Sequence, residues 1–231
     1  MFIGHFGVGF AGKRFAPKLS LGTLFLAAQF LDLLWPTLIL LGIEKVRIAP
    51  GATRVTPLDF YHYPISHSLV AALGWALLIA LLVLWAKRKA VPAAVAGVLV
   101  ASHWVLDLLV HRPDLPLIWG SPLRFGFGLW NSVAGTLIVE LSIFAVGLAV
   151  YVAATKPRDR IGSWSLWALV GFLLAVYFSS LFGPPPPSVK AIGWAGEAMW
   201  LLVVWGYWID RHREPRAMAG AAPSGDASVP Q

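Results

Sequence analysis

Cysteine is absent from the 231 residues of this chain, which excludes a disulfide framework and any thiolate metal centre. Charge is scarce as well: 13% of residues are charged against 58% hydrophobic, and the mean hydropathy is +0.72. A water-soluble domain of this size cannot hide that much apolar surface. A secretory signal peptide does not fit, because the first strongly apolar run follows Lys18 and is too long for an h-region. There is no convincing internal repeat, so the inverted-repeat plan of many secondary transporters has no support.

What is present points to a polytopic membrane protein. Twelve Trp and five Tyr suit anchors at headgroup level, or packing positions between helices. Apolar stretches of about 20 residues, the length that crosses a bilayer, predict six spans: Ser20–Ile43, Ser66–Ala86, Pro92–Val110, Trp130–Ala154, Ser163–Phe182 and Lys190–Ile209. The expected fold class is therefore all-α, a transmembrane bundle of about six helices in one domain over residues 1–215. The tail 216–231, rich in Ala, Gly, Pro and Ser, is expected to be disordered.

The net charge of +7 is carried in short clusters between apolar runs, which argues against nucleic acid as a partner. If Met1–Gly12 lies on the cytoplasmic side, the clusters around Lys13, Lys87, Lys156 and Arg211 share that side. They account for twelve of the eighteen Lys and Arg. The bias predicts both termini in the cytoplasm. Pro184–Pro187 reads as a stiff extracytoplasmic connector.

Ionisable groups inside a bilayer are costly unless paired, hydrated or bound to metal, so their positions carry the information. Asp32 lies in the first span, His62 and His67 lead into the second, His103, Asp107 and His111 lie in the third, and Glu140 lies in the fourth. The last two spans read as packing or anchoring elements.

In "SHWVLDLLVH" the spacing of His103, Asp107 and His111 predicts three side chains stacked on one helix face. A His/Asp pair at i, i+4 suits a divalent metal, or equally a hydrogen bond between two buried polar groups. "HYPISHS" adds two histidines, with Pro64 breaking the helix and Ser66 suited to cap the second span. By depth, His103 lies roughly 16 Å and Asp32 roughly 18 Å above the cytoplasmic helix starts, and His67 sits higher. A common site therefore requires the second helix to begin deeper, or a water-filled cleft. Glu140 is a metal ligand or general base, or else a protonated carboxyl bonded to a neighbouring helix. His5, in a short apolar segment before Lys13, reads as part of a cytoplasmic surface segment; only a half-spanning hairpin would bring it inward.

"AAQFLDLLWP", "HYPISHSL" and "SHWVLDLLVHRPDLPLIWG" together resemble the bacterial inner-membrane family described as predicted membrane-bound metal-dependent hydrolases. That family's pattern runs from Gly-His through "PDxDH" and "HRxxTHS" to "SHxxxD" and a Leu-Pro-rich turn. Gly4 and His5 match the first element, Asp32 the second, His62, His67 and Ser68 the third, and Ser102, His103 and Asp107 the fourth. The resemblance covers roughly residues 4–120. Gln29 and Trp35 lie near where the family has Asp and His, Tyr63 replaces its Arg, and Ser66 its Thr.

The resemblance implies a location in the bacterial inner membrane and a half-spanning N-terminal helix that makes His5 a ligand. It also implies a divalent metal, zinc in the first instance, held by some of His5, Asp32, His62, His67, His103 and Asp107. Loss of two potential ligands counts against a second ion and leaves room for one. Glu140, or the carboxylate left unliganded such as Asp107, is then the catalytic general base. The expected partner is a membrane lipid or a lipid-linked ester near the outer leaflet. The competing reading, a transporter or metal-ion permease, uses the same His/Asp cluster as a transit site.

Overall fold

The computed structural model describes residues 1–216, so the expectation for the C-terminal tail lies, Arg216 apart, outside the described residues. The chain is 67% helical. It opens with α1 (Ile3–Phe15), α2 (Leu21–Ala28) and α3 (Phe30–Leu40), followed by a hairpin of β1 (Lys45–Ile48) and β2 (Leu58–His62). Then come α4 (Pro64–His67), α5 (Leu69–Lys87), α6 (Ala90–Val110), and the two-residue strands β3 (Leu115–Pro116) and β4 (Arg124–Phe125). The remainder is α7 (Val133–Ala154), β5 (Thr155–Pro157), α8 (Arg160–Phe182), α9 (Val189–Glu197), α10 (Trp200–Arg211) and β6 (Arg213–Pro215). Each strand pairs antiparallel with one other, β1 with β2, β3 with β4 and β5 with β6.

Among the described residues four helices, α5 to α8, are long and apolar enough to cross a membrane. Two of the six expected spans differ from the sequence reading. The first is broken into α2 and α3, which meet at 59°. Gln29 sits at the break, and Pro36 within α3 has no N–H to give the Asp32 carbonyl four residues back. The local helix is thus irregular on both sides of Asp32. The last expected span is divided between α9 and α10 at Ala198 and Met199, and neither half is long enough to cross alone.

The largest departure is at the N-terminus. Residues 3–15 are not a cytoplasmic surface segment but a buried helix: Ile3, His5, Phe6 and Phe10 are each at most 1% exposed. At 13 residues α1 spans about 20 Å, too short to cross. Two glycines explain how it enters. A Cβ on Gly147 of α7 would lie 1.9 Å from the Gly7 carbonyl oxygen, and one on Gly7 would lie 2.6 Å from the Ile143 carbonyl oxygen. The α1 and α7 backbones therefore touch, as small residues allow between helices in a bilayer. Met1 is buried as well, at 5% exposure.

Apolar packing falls into two clusters. One joins Leu24, Leu31, Ala76, Leu99 and Trp104, from α2, α3, α5 and α6. The other joins Phe6, Phe10, Phe25, Phe144, Tyr151 and Leu169, from α1, α2, α7 and α8. The polar groups of α1, α3, α4 and α6 meet between them.

Candidate metal centre

Five of the residues singled out in the sequence converge: His5 from α1, Asp32 from α3, His67 from α4, and His103 and Asp107 from α6. They form two overlapping sets of metal-capable atoms that share His103. One is His5, His103 and Asp107, and the other is Asp32, His67 and His103; within each, the ligand atoms lie within 4.8 Å of one another.

His67 reaches this depth because it is not on the spanning helix. Pro64 opens a one-turn helix at its N1 position, where the missing N–H costs nothing, so the segment is helical rather than broken. Ser68 is then extended (φ −73°, ψ 148°) and its hydroxyl caps α5 by accepting from the Ala71 N–H at 3.2 Å. The capping role expected of Ser66 therefore belongs to Ser68.

The hydrogen bonds fix which ring nitrogens face the centre. His103 Nδ1 lies 2.8 Å from the Ala28 carbonyl, which can only accept, so Nδ1 carries the hydrogen. The helix break at Gln29 leaves the Ala28 carbonyl available for this bond. His67 Nδ1 lies 2.7 Å from Ser66 Oγ, and Ser66 donates to the Glu44 carboxylate at 2.5 Å. Ser66 must therefore accept from His67 Nδ1–H. Both Nε2 atoms then present lone pairs to carboxylate oxygens. His67 Nε2 is 3.4 Å from Asp32 Oδ1 and 3.6 Å from Asp107 Oδ2. His103 Nε2 is 3.6 Å from Asp32 Oδ2 and 3.3 Å from Asp107 Oδ2.

These separations fit a metal ion. His103 Nε2 is buried with no hydrogen-bond partner among the described residues, so the simple His–Asp hydrogen bond does not satisfy it. Edges of 3.4 and 3.6 Å from the Asp32 oxygens to His67 and His103 are of the size expected around an ion bound at about 2.0–2.2 Å by imidazole and carboxylate. The outer hydrogen bonds of both rings, to a carbonyl and through Ser66 to Glu44, are the supports that metal-ligating histidines use.

His5 stacks on His103, with ring centroids 3.6 Å apart, and its Nε2 lies 3.1 Å from Asp107 Oδ1. The Met1 amino group also donates to that oxygen, at 2.5 Å. Asp107 Oδ2 is left facing His67 and His103. Glu140 is engaged differently: Oε2 accepts from the backbone N–H groups of Phe2 at 2.9 Å and Gly4 at 3.4 Å, capping the start of α1. It holds His5 in place through the backbone rather than by joining either set of convergent atoms.

Two further expectations are corrected. His62 stands at the end of β2, edge-on to Trp119 at 6.3 Å, and belongs to neither set. The turn between β2 and α4 separates it from His67, so a spacing of five residues does not bring the rings together. His111 does not continue the stack of His103 and Asp107, because α6 ends at Val110 and His111 is extended. Its Nδ1 lies 2.8 Å from Asp114, which also accepts from the Tyr63 hydroxyl at 2.9 Å. Burial, with the Asp114 carboxylate beside it, holds the Tyr63 phenol well above its usual range, so it remains a donor. Glu44 was not anticipated, since an acidic residue just after an apolar run reads as a solvated loop; it is 1% exposed.

A cavity of about 800 Å³ opens from this cluster, with Asp32, His67, Asp107 and Glu140 in its wall. Residues of α8, α9 and α10 form much of the rest, with Trp35, Phe60 and Trp130 among the others, so these helices do more than anchor the bundle. Comparison with protein-family models, with curated proteins and with solved structures finds no match to this chain.

Proposed function

We propose that this protein is a membrane-embedded, metal-dependent hydrolase acting on a lipid or lipid-linked ester or phosphoester near the outer leaflet. The observation that carries this reading is the pair of partnerless or loosely placed Nε2 lone pairs, on His103 and His67, facing Asp32 and Asp107 across 3.3–3.6 Å. The order of the motifs, which resembles that of the predicted membrane-bound metal-dependent hydrolases, supports it independently.

Asp32, His67 and His103 would hold the ion, with Ala28 and the Ser66–Glu44 pair fixing the two rings. The chemistry such a site would supply, were a divalent ion held there, is a water acidified toward a pKa of about 7 and polarisation of the scissile bond. Asp107, in the cavity wall with Oδ2 toward His67 and His103, would take a proton from the attacking water as the ester bond breaks. His5 orients Asp107 by holding its other oxygen, and Glu140 holds the helix that carries His5.

The test is metal analysis of detergent-purified protein beside a His103→Ala/Asp107→Ala double variant. The parent should retain divalent metal and the variant should lose most of it; equal content in the two would overturn the metal centre. Lipid-phosphate release with and without chelator then separates a hydrolase from the permease alternative, which would release none.

A further inference from the structure

His62, which both metal-capable sets leave out, lines a second cavity of about 120 Å³ between the end of β2 and the β3–β4 hairpin. Tyr63 is the residue this cavity shares with the chamber beside the cluster. Its volume holds about four waters at roughly 30 Å³ each, or one tetrahedral oxyanion. The polar side chains in its wall include donors and no carboxylate: the Tyr61 and Ser121 hydroxyls, the His62 ring and the Arg124 guanidinium. Tyr61 and Arg124 are exposed, and His62 and Ser121 are half-buried, so these groups can be reached from outside. Arg124 gives Nη1 to the Ser121 and Leu123 carbonyls at 2.7 and 3.4 Å and keeps Nε and Nη2 without a partner among the described residues. His62 makes no hydrogen bond among them and meets Trp119 edge-on. Lys45, the cross-strand neighbour of His62, is exposed and has no ion pair among the described residues. The carboxylates of β2 and of the turn before β3 are already engaged: Asp59 with Arg47 and Arg112, and Asp114 with Arg112 and His111. Free cations around a wall of donors select an anion, and the guanidinium fork matches a phosphate.

The level of the cavity in the molecule says which phosphate. The Leu117 carbonyl accepts from the Val70 N–H at 3.1 Å, which ties the hairpin to the first turn of α5. As a span, α5 covers about 29 Å over its 19 residues, close to the hydrocarbon thickness of about 30 Å. Its first turn therefore lies at headgroup level in the leaflet opposite Lys87. The cavity rim suits that level, with Ile118 and Trp119 47% and 62% exposed. Below it Val70, Leu73, Leu77 and Leu81 form one stripe of α5, each at least 50% exposed. We propose that the cavity binds the phosphate of a membrane phospholipid through Arg124 and His62, with an acyl chain lying along this stripe. The site is separate from the metal-capable cluster and does not depend on the hydrolase reading.

The experiment is native mass spectrometry of the delipidated full chain with a diacyl phosphatidylglycerol, the diacylglycerol of the same acyl chains, and glycerol 3-phosphate. The phosphatidylglycerol should be retained roughly tenfold more tightly than the diacylglycerol, the scale of one charge-assisted hydrogen bond. Arg124→Ala should bring the two lipids close to parity, His62→Ala should shrink the ratio in part, and chelator should leave it unchanged. Equal retention of the two lipids by the parent overturns the proposal, as does the full parental ratio in both variants. Displacement of the phospholipid by an equimolar amount of glycerol 3-phosphate overturns it too, since the site would then serve a free phosphate. If the melting temperature shows that Arg124→Ala does not fold, the parent comparison and His62→Ala still decide.

Discussion

At the residue scale, the candidate centre depends on groups that never touch its middle. Glu44 accepts from the Ile65 and Ser66 N–H groups at 2.7 and 2.9 Å and from the Ser66 hydroxyl, and through Ser66 it sets the tautomer of His67. Glu44→Gln should keep the fold but weaken divalent-metal affinity by about 10–100-fold, the usual effect of removing such a support. Competition with a chelator of known affinity measures it. His62→Ala, by contrast, should leave metal content unchanged, because His62 faces Trp119 at 6.3 Å and lies outside both sets of convergent atoms.

At the element scale, α1 matters most, since it delivers His5 and depends on contact with α7 at Gly7 and Gly147. In Gly147→Ala the added carbon would sit 1.9 Å from a backbone oxygen, which cannot rotate away. Overpacking of this kind costs about 1–3 kcal/mol, so the melting temperature in detergent should fall measurably. A second element joint responds to pH. Asp159 caps α8 by accepting from the Gly162 N–H at 2.8 Å, and it pairs with the His212 ring at 2.7 Å. The hydrogen bond from His212, then that from Gly162, holds the Asp159 carboxyl below its usual range. A depressed folded-state pKa means that the contribution is complete above the ordinary aspartate range, near about 4. It is lost as pH falls through the depressed value. Protection of the Gly162 amide against hydrogen exchange, corrected for intrinsic rate, should decline only in that acid window, and Asp159→Asn should remove the decline.

At the scale of the whole molecule, the absence of cysteine makes orientation directly measurable, because single Cys substitutions introduce the sole thiol. Arg88 follows α5 and Arg54 lies between β1 and β2, so they fall at opposite ends of the bundle by the expected topology. A membrane-impermeant thiol reagent should label Arg54→Cys in intact cells and Arg88→Cys only after the membrane is opened. The reverse pattern would overturn the orientation deduced from basic clusters.

The four helices long and apolar enough to cross a membrane, and the polar residues worth following, were legible in the sequence. Apolar length and the rarity of buried charge are local properties that need no partner to be read. The pairing of His103 with Asp107 was legible for the same reason, since one helix carries both. The tertiary structure alone decided how α1 enters the bundle, that His67 rides on a one-turn helix beneath the spanning one, and that α8 to α10 wall a chamber. It also decided that His62 stands apart while Glu44 is drawn in. Each of these turns on contacts between segments distant in sequence: a glycine meeting a glycine across two helices, a carbonyl freed by a bend, a serine held by a carboxylate. Local periodicity contains no term for such contacts, and they determine which of six candidate ligands come within 4 Å of one another.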